Sequence, residues 1–228
     1  MSAMAMPAFE GTDQYYLDAE LRAIVNIALA MEKPLLLTGE AGTGKTQLAL
    51  ETARALSMPT EILRCKSTIK GEEACYTQDT VLRLNDARFG PGDSKRNVAE
   101  FFDYIIWGPI GRAFRAETKV VLLLDEIDKT ESDVQDNLLD ILDQMQFDII
   151  EIDRTVTARH RPVIIITSNA KKDLSDPFLG RCNFHHIAFP DPEMMRMILD
   201  VHFPNLSERL AKACLSAFYR LREFRGIE

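Results

Sequence analysis

An α/β fold built on a parallel sheet, with a short helical piece after it, is what this sequence predicts. Three observations carry that expectation. The runs "VVLLL" and "PVIII" are apolar without alternation, as in strands buried on both faces. Segments with apolar residues at helical spacing recur between such runs, and strands alternating with helices imply parallel pairing. The stretch "LLLTGEAGTGKTQLAL", residues 35–50, passes from an apolar strand through three glycines into a helical pattern.

In chain order, residues 1–16 read as a flexible tail. Apolar residues at 21, 24, 25, 28 and 31 keep helical spacing from Leu17 to Met31, with Asp18 as N-cap. Pro34 to Thr38 reads as a buried strand, Lys45 to Leu56 as a helix and 60–65 as a second strand. Residues 66–119 are less regular, with a polar stretch, a turn-rich "FGPGDSK" and a mixed helical segment holding Trp107. Val120 to Leu124 is a strand. Thr130, three residues before Asp133, gives a capping-box-like helix start, and Val134, Leu138, Ile141, Leu142 and Met145 form its apolar stripe. "FDIIEIDRTVT" suggests a hairpin turning near Asp153, followed by strands at 163–167 and 185–190. Asp191 and Pro192 then open a helix as N-cap and N1, and another runs from about Ser207 to Phe224 before Gly226. The expected division is an α/β domain over 17–190 and a partial helical lid over 191–228.

Composition sets bounds on function. An apolar fraction of 46% and a charged fraction of 27% are ordinary for a soluble globular protein. No run of eighteen apolar residues occurs, the N-terminus lacks a positive n-region, and the four cysteines form no CxxC pair. These features point to a reducing, cytoplasmic setting with no membrane partner. A net charge of −8 disfavours nonspecific binding to nucleic acid and inclines the reading towards protein partners. His185 and His186, as neighbours on a strand, would face opposite sides and cannot chelate one ion together.

The glycine stretch carries the chemistry. "GEAGTGKT" fits G-x-x-x-x-G-K-[ST] and lies between a strand and a helix, as a phosphate-binding loop requires. Gly39, Glu40, Ala41, Gly42, Thr43 and Gly44 supply a loop whose amides can converge on a phosphate chain, beside the positive end of a helix dipole. Lys45 would reach the outer phosphates, and the Thr46 hydroxyl would coordinate Mg²⁺. About eighty residues later, Asp125 ends an apolar strand, where it can hold the hydrated metal. Glu126 is placed to polarise an attacking water. "IIITSN" ends another buried strand in Thr167, Ser168 and Asn169, where an amide can hold that water or sense phosphate loss. Arg181, in "DPFLGRCNF", can neutralise phosphoryl charge if a neighbouring subunit supplies it.

In this order the four motifs resemble those of the AAA+ ATPases: "GEAGTGKT", "LLLDEID", "ITSN", then "LGRC" before a final strand and helical lid. More narrowly the chain looks like the MoxR-type branch, through "WGPIGRAF", "DNLLDILDQMQFDIIEIDRTVT" and "LSDPFLGRCNFHHIAFPDP". That resemblance implies an ATP-hydrolysing ring, usually a hexamer, with ATP and Mg²⁺ between subunits and Arg181 acting in trans. It also implies a client protein, often one with a von Willebrand factor A domain. Lys66 to Gly71 would correspond to a pore-facing loop, with Ile69, Lys70 and Gly71 in place of an aromatic. An assembly switch with little turnover and a nucleic-acid-linked NTPase motor are the alternatives; the acidic charge counts against the motor.

Overall fold

The computed structural model of the protein describes residues 8–92, 94–169, 174 and 176–225. The chain runs α1 (Ala19–Met31), β1 (Leu35–Thr38), α2 (Lys45–Ala55), β2 (Thr60–Arg64), α3 (Gly71–Cys75), β3 (Tyr76–Gln78) and α4 (Thr80–Phe89). It continues through β4 (Ile105–Trp107), α5 (Pro109–Arg115), β5 (Val121–Asp125), α6 (Ser132–Gln144), β6 (Gln146–Ile149) and β7 (Arg154–Thr157). The last elements are β8 (Val163–Ser168), α7 (Asp176–Arg181), β9 (Asn183–His186), α8 (Pro192–His202) and α9 (Glu208–Arg225). Five parallel strands form the main sheet in the order β2-β5-β8-β1-β9.

Strand alternation divides the core in two. Leu36, Leu122, Leu124, Ile164 and Ile166 face one side, where they pack with Phe114, Leu138 and Phe147. Leu35, Leu37, Val121, Leu123 and Ile165 face the other, against Val25, Leu29 and Leu48. Both faces are covered, so the central strands are apolar along most of their length and turn polar only at their C-terminal ends, in Thr38, Asp125, Thr167 and Ser168. The result is a three-layer α/β fold whose strands β1, β5 and β8 end on one edge. That edge carries the glycine loop, the acid pair and Asn169.

Local chemistry fixes the boundaries. The Asp18 carboxylate accepts the Leu21 amide at 2.7 Å and caps α1. Asp191 does the same for α8 through the Met194 amide at 2.8 Å, with Pro192 in the first turn. The β6–β7 hairpin turns at Asp153, which sits in the left-handed region at φ 50°. Among the described residues no helix is long and apolar enough to cross a membrane.

Several expectations need correction. Residues 8–16 are no loose tail, whereas 1–7 lie outside the described residues. Phe9 is fully buried, its amide donates to Asn26 Oδ1 at 2.7 Å, and its carbonyl accepts from Asn26 Nδ2 at 2.9 Å. Trp107 sits on β4, paired with Tyr76, rather than in a helix. The α1 stripe ends before Met31, which is 52% exposed. Thr130 bonds back to the Ile127 carbonyl at 2.8 Å and does not cap α6. The last strand is 183–186, not 185–190. Asn183 aligns with Leu35, and past one further bond from the Ile187 amide to the Thr38 carbonyl the segment leaves the sheet. The helix end at Gly226 and Ser175 of the arginine segment lie outside the described residues.

If residues 8–16 belong to the fold, Phe9→Ala should cost about 3–5 kcal/mol, the usual toll for emptying a buried phenylalanine site. Urea denaturation would measure it; an unchanged midpoint would mean that the segment contributes nothing.

Candidate functional site

The glycine loop joins β1 to α2. A Cβ on Gly39 would lie 2.3 Å from the Ile187 carbonyl oxygen, at a φ of +148°. Gly44, the N-cap of α2, has φ +89°, and a Cβ there would press at 3.2 Å on the Tyr15 ring. Only glycine fits either position without strain. The first amides of α2 have no carbonyl one turn earlier and stand ready for an anion.

Lys45 is buried, and its ammonium donates to the Gly39 carbonyl at 2.8 Å and the Glu40 carbonyl at 2.6 Å. Burial pushes it below its ordinary range, against the pull of Asp128, Asp125, Glu126 and Glu40. An arriving phosphate would relieve that penalty.

The acid pair follows from the sheet register. Asp125 ends β5 beside Arg64 of β2, and β8 on the other flank brings Thr167 alongside. Asp125 Oδ1 accepts the Thr46 hydroxyl at 2.8 Å and the Thr167 hydroxyl at 2.7 Å. Thr167 Oγ1 accepts the Glu126 amide at 2.8 Å. Glu126 is in the left-handed region at φ 60°, an uncommon conformation for a side-chain-bearing residue. Its Oε1 takes the Asn169 amide at 3.1 Å, and its Oε2 pairs with Lys129. That hydrogen bond holds the Lys129 ammonium above its ordinary pKa. Asp128 is buried and accepts the Asn169 backbone amide at 3.0 Å.

Lys45, Thr46, Asp125, Glu126, Thr167 and Asn169 thus share the lining of a cavity of about 540 Å³ at the open edge of the sheet. A second cavity, of about 190 Å³, lies behind the loop between Tyr15, Tyr16, Ile187, Met194 and Ile198. Burial, reinforced by Asp18, pushes the Tyr15 hydroxyl up to about 12. The first cavity is bounded by the glycine loop and polar side chains, whereas the second is lined largely by apolar and aromatic ones.

The donor set also suits magnesium. The Thr46 hydroxyl and the Asp125 carboxylate are hard oxygens that already meet at hydrogen-bond distance. Among the described residues no three His, Cys, Asp or Glu side chains gather to hold a metal unaided. A Mg²⁺ ion held by one or two protein oxygens, substrate phosphates and water fits that arrangement.

Arg181 stands apart. It ends α7, half exposed, paired with Asp140 at 2.9 Å and nearer to Asp143 than 4 Å, and it does not line the cavity of its own chain. Among charged side chains, the sequence reading missed four. Arg64 lines the cavity, Lys129 holds Glu126, and Asp128 holds the Asn169 backbone. Arg222 of α9 pairs with Glu40 and stacks on Phe189 with its guanidinium carbon 3.6 Å from the ring centroid. No sequence signal marks Arg64 or Arg222; Asp128 and Lys129 at least lie inside the acidic motif.

Residues 34–182 match the family model for the AAA domain, dynein-related subfamily. No curated protein matches the chain. Among solved structures with a similar fold is one described as a "putative ATPase" from Cytophaga hutchinsonii ATCC 33406. It is 18% identical, with a TM-score of 0.54 over 82% of this chain and 50% of its own. The chain therefore spans about half the length of that structure, and the likeness is one of fold.

Gly39→Ala should force the loop away from Ile187, at a strain of about 1–3 kcal/mol, and abolish nucleotide binding. Gly180→Ala, where a Cβ meets nothing within 4 Å, is the control and should melt with the wild type or slightly above it. Calorimetric titration and thermal melts read both outcomes; full nucleotide affinity in Gly39→Ala would refute the loop assignment.

Proposed function

Because the chain belongs to the AAA domain family, dynein-related subfamily, we propose that it is a Mg²⁺-dependent ATPase working at the subunit interfaces of a ring. One observation carries the reading: the hydrogen-bonded relay Thr46–Asp125–Thr167–Glu126–Asn169 at the mouth of the glycine loop.

Residues 39–44 and the N-terminus of α2 bind the phosphates, and Lys45 leaves the loop carbonyls to pair with the outer ones. Thr46 and Asp125 would hold magnesium, which when bound draws charge from the phosphate oxygens. The apolar cavity around Tyr15, Ile187 and Met194 takes the base. Glu126 accepts the proton of the attacking water, and Asn169 orients the carboxylate by holding Oε1. Lys129 must yield Oε2 for a water to bond there.

Arg181 is read as acting in trans. Its exposure, and its absence from the cavity of its own chain, support that role. A head-to-tail contact repeated around an axis closes into a ring, which fits the expected hexamer. The MoxR-type branch is the narrower reading, supported by the helix-plus-hairpin at α6–β7. The proposed output is remodelling of a client protein, a von Willebrand factor A domain protein being the candidate.

A low-turnover assembly switch is the second reading. It is favoured by the engagement of both Glu126 oxygens, one by Asn169 and one by Lys129.

Turnover assays separate the two. Glu126→Gln should lower turnover by about 10²–10⁴, the usual contribution of a positioned general base, with nucleotide affinity retained. Turnover unchanged from the wild type favours the switch. Wild-type turnover per chain should also climb with protein concentration, and Arg181→Ala should remain low and flat across the same range.

A further inference from the structure

Arg64 is the last residue of β2 and is exposed. Its place is set by the sheet. It aligns with Asp125 in the parallel register, and the Cys65 amide donates to the Asp125 carbonyl at 2.9 Å just beyond. Side chains at aligned positions of neighbouring strands project to the same face. Asp125 reaches the glycine-loop helix through Thr46, so Arg64 leaves the sheet on that side too and lines the same 540 Å³ cavity.

Arg64 is also uncommitted. Arginines 22, 54, 96, 112, 159, 181, 196 and 222 each have a carboxylate partner. The Arg64 side chain makes no hydrogen bond, ion pair or ring contact among the described residues, although it shares a cavity with two acids. Those acids are already engaged. Asp125 takes two threonine hydroxyls on Oδ1, and Glu126 is held by Asn169 and Lys129. What remains is an unpaired guanidinium facing a site built for anions.

The order of the sheet says which part of the anion it meets. The apolar cavity for the base lies beside Ile187, which follows β9 at one end of the order β2-β5-β8-β1-β9. The glycine loop follows β1, next to it, and Arg64 ends β2 at the far end. A nucleotide with its base near β9 extends its phosphate chain towards β5 and β2. In that pose the outermost phosphate is the one that lies nearest to Arg64.

We propose that Arg64 is this chain's own recognition residue for the terminal phosphate, the group by which the site tells a nucleoside triphosphate from a diphosphate. The inference rests on the nucleotide-site reading above. A guanidinium presents paired donors that match phosphate oxygens bidentately, and such charge-assisted bonds are among the strongest available to a side chain. Unlike Arg181, Arg64 needs no neighbouring subunit.

The test is calorimetric binding of the Mg²⁺ complexes of AMP-PNP and ADP to the full chain, in wild type and Arg64→Gln. Because Arg64 is exposed and unpaired, the variant should melt with the wild type. The expected result is a loss of roughly tenfold to a hundredfold in AMP-PNP affinity, the range for a hydrogen bond to a charged group, with ADP affinity within twofold of wild type. Equal changes in both affinities, including no change in either, overturn the assignment of Arg64 alone. A wild-type chain that binds neither nucleotide overturns the nucleotide site, and Arg64 with it.

Discussion

One carboxylate oxygen, Asp125 Oδ1, accepts hydroxyls from Thr46 on α2 and Thr167 on β8 while itself ending β5. Three elements far apart in sequence are pinned at that point. Hydrogen bonds to a charged group are worth about 1.5–3 kcal/mol each, enough to make the register of β5 against β8 and the approach of α2 mutually dependent. Slip either strand by one residue and Thr167 would turn to the opposite face. The left-handed backbone at Glu126 is held from here as well, since its amide donates to the same Thr167 oxygen. The strain stored at Glu126 is thus offset by bonds that exist only when the sheet is correctly assembled.

The two apolar faces of the sheet make that assembly unambiguous. Leu122 and Leu124 enter one cluster while Val121 and Leu123 enter the other. The segment before α1 reinforces the second face. Phe9 fills it from outside, the Thr12 hydroxyl bonds to buried Glu51 of α2, and the Tyr15 ring closes over Gly44. The helix behind the glycine loop is therefore braced by the segment before α1 as well as by the sheet.

Much of this was legible in the sequence, for physical reasons. Strands buried on both faces must be apolar throughout, so β5 and β8 are visible as unbroken runs. The loop is visible because a tight anion-binding turn admits glycine where other residues would clash. The hairpin at 146–157 and the Asp191–Pro192 helix start also follow local rules. Elements of three residues, such as β3 and β4, carry no period, which is why the sequence around Trp107 reads as helical although the residue lies on a strand. The expected last strand runs too far because "IAFP" is apolar for another reason: after one bond from the Ile187 amide to Thr38, the segment lines the second cavity with Ile187, Ala188 and Pro190. Arg64 and Arg222 owe their positions to the register of β2 and the docking of α9. Neither is encoded within a few residues of itself.

Arg222 has a mechanical aspect. Its guanidinium is shared between the Glu40 carboxylate in the glycine loop and the face of Phe189, while the Tyr219 hydroxyl of the same helix bonds the Pro190 carbonyl at 2.7 Å. The angle of α9 is thereby geared to the posture of the loop. At 1.5 Å per residue, a tilt of about ten degrees pivoting on Arg222 would carry Glu208, at the other end of the helix, by roughly 4 Å. Sub-ångström adjustments of the glycine loop would then be magnified into a swing wide enough for an adjoining molecule to feel.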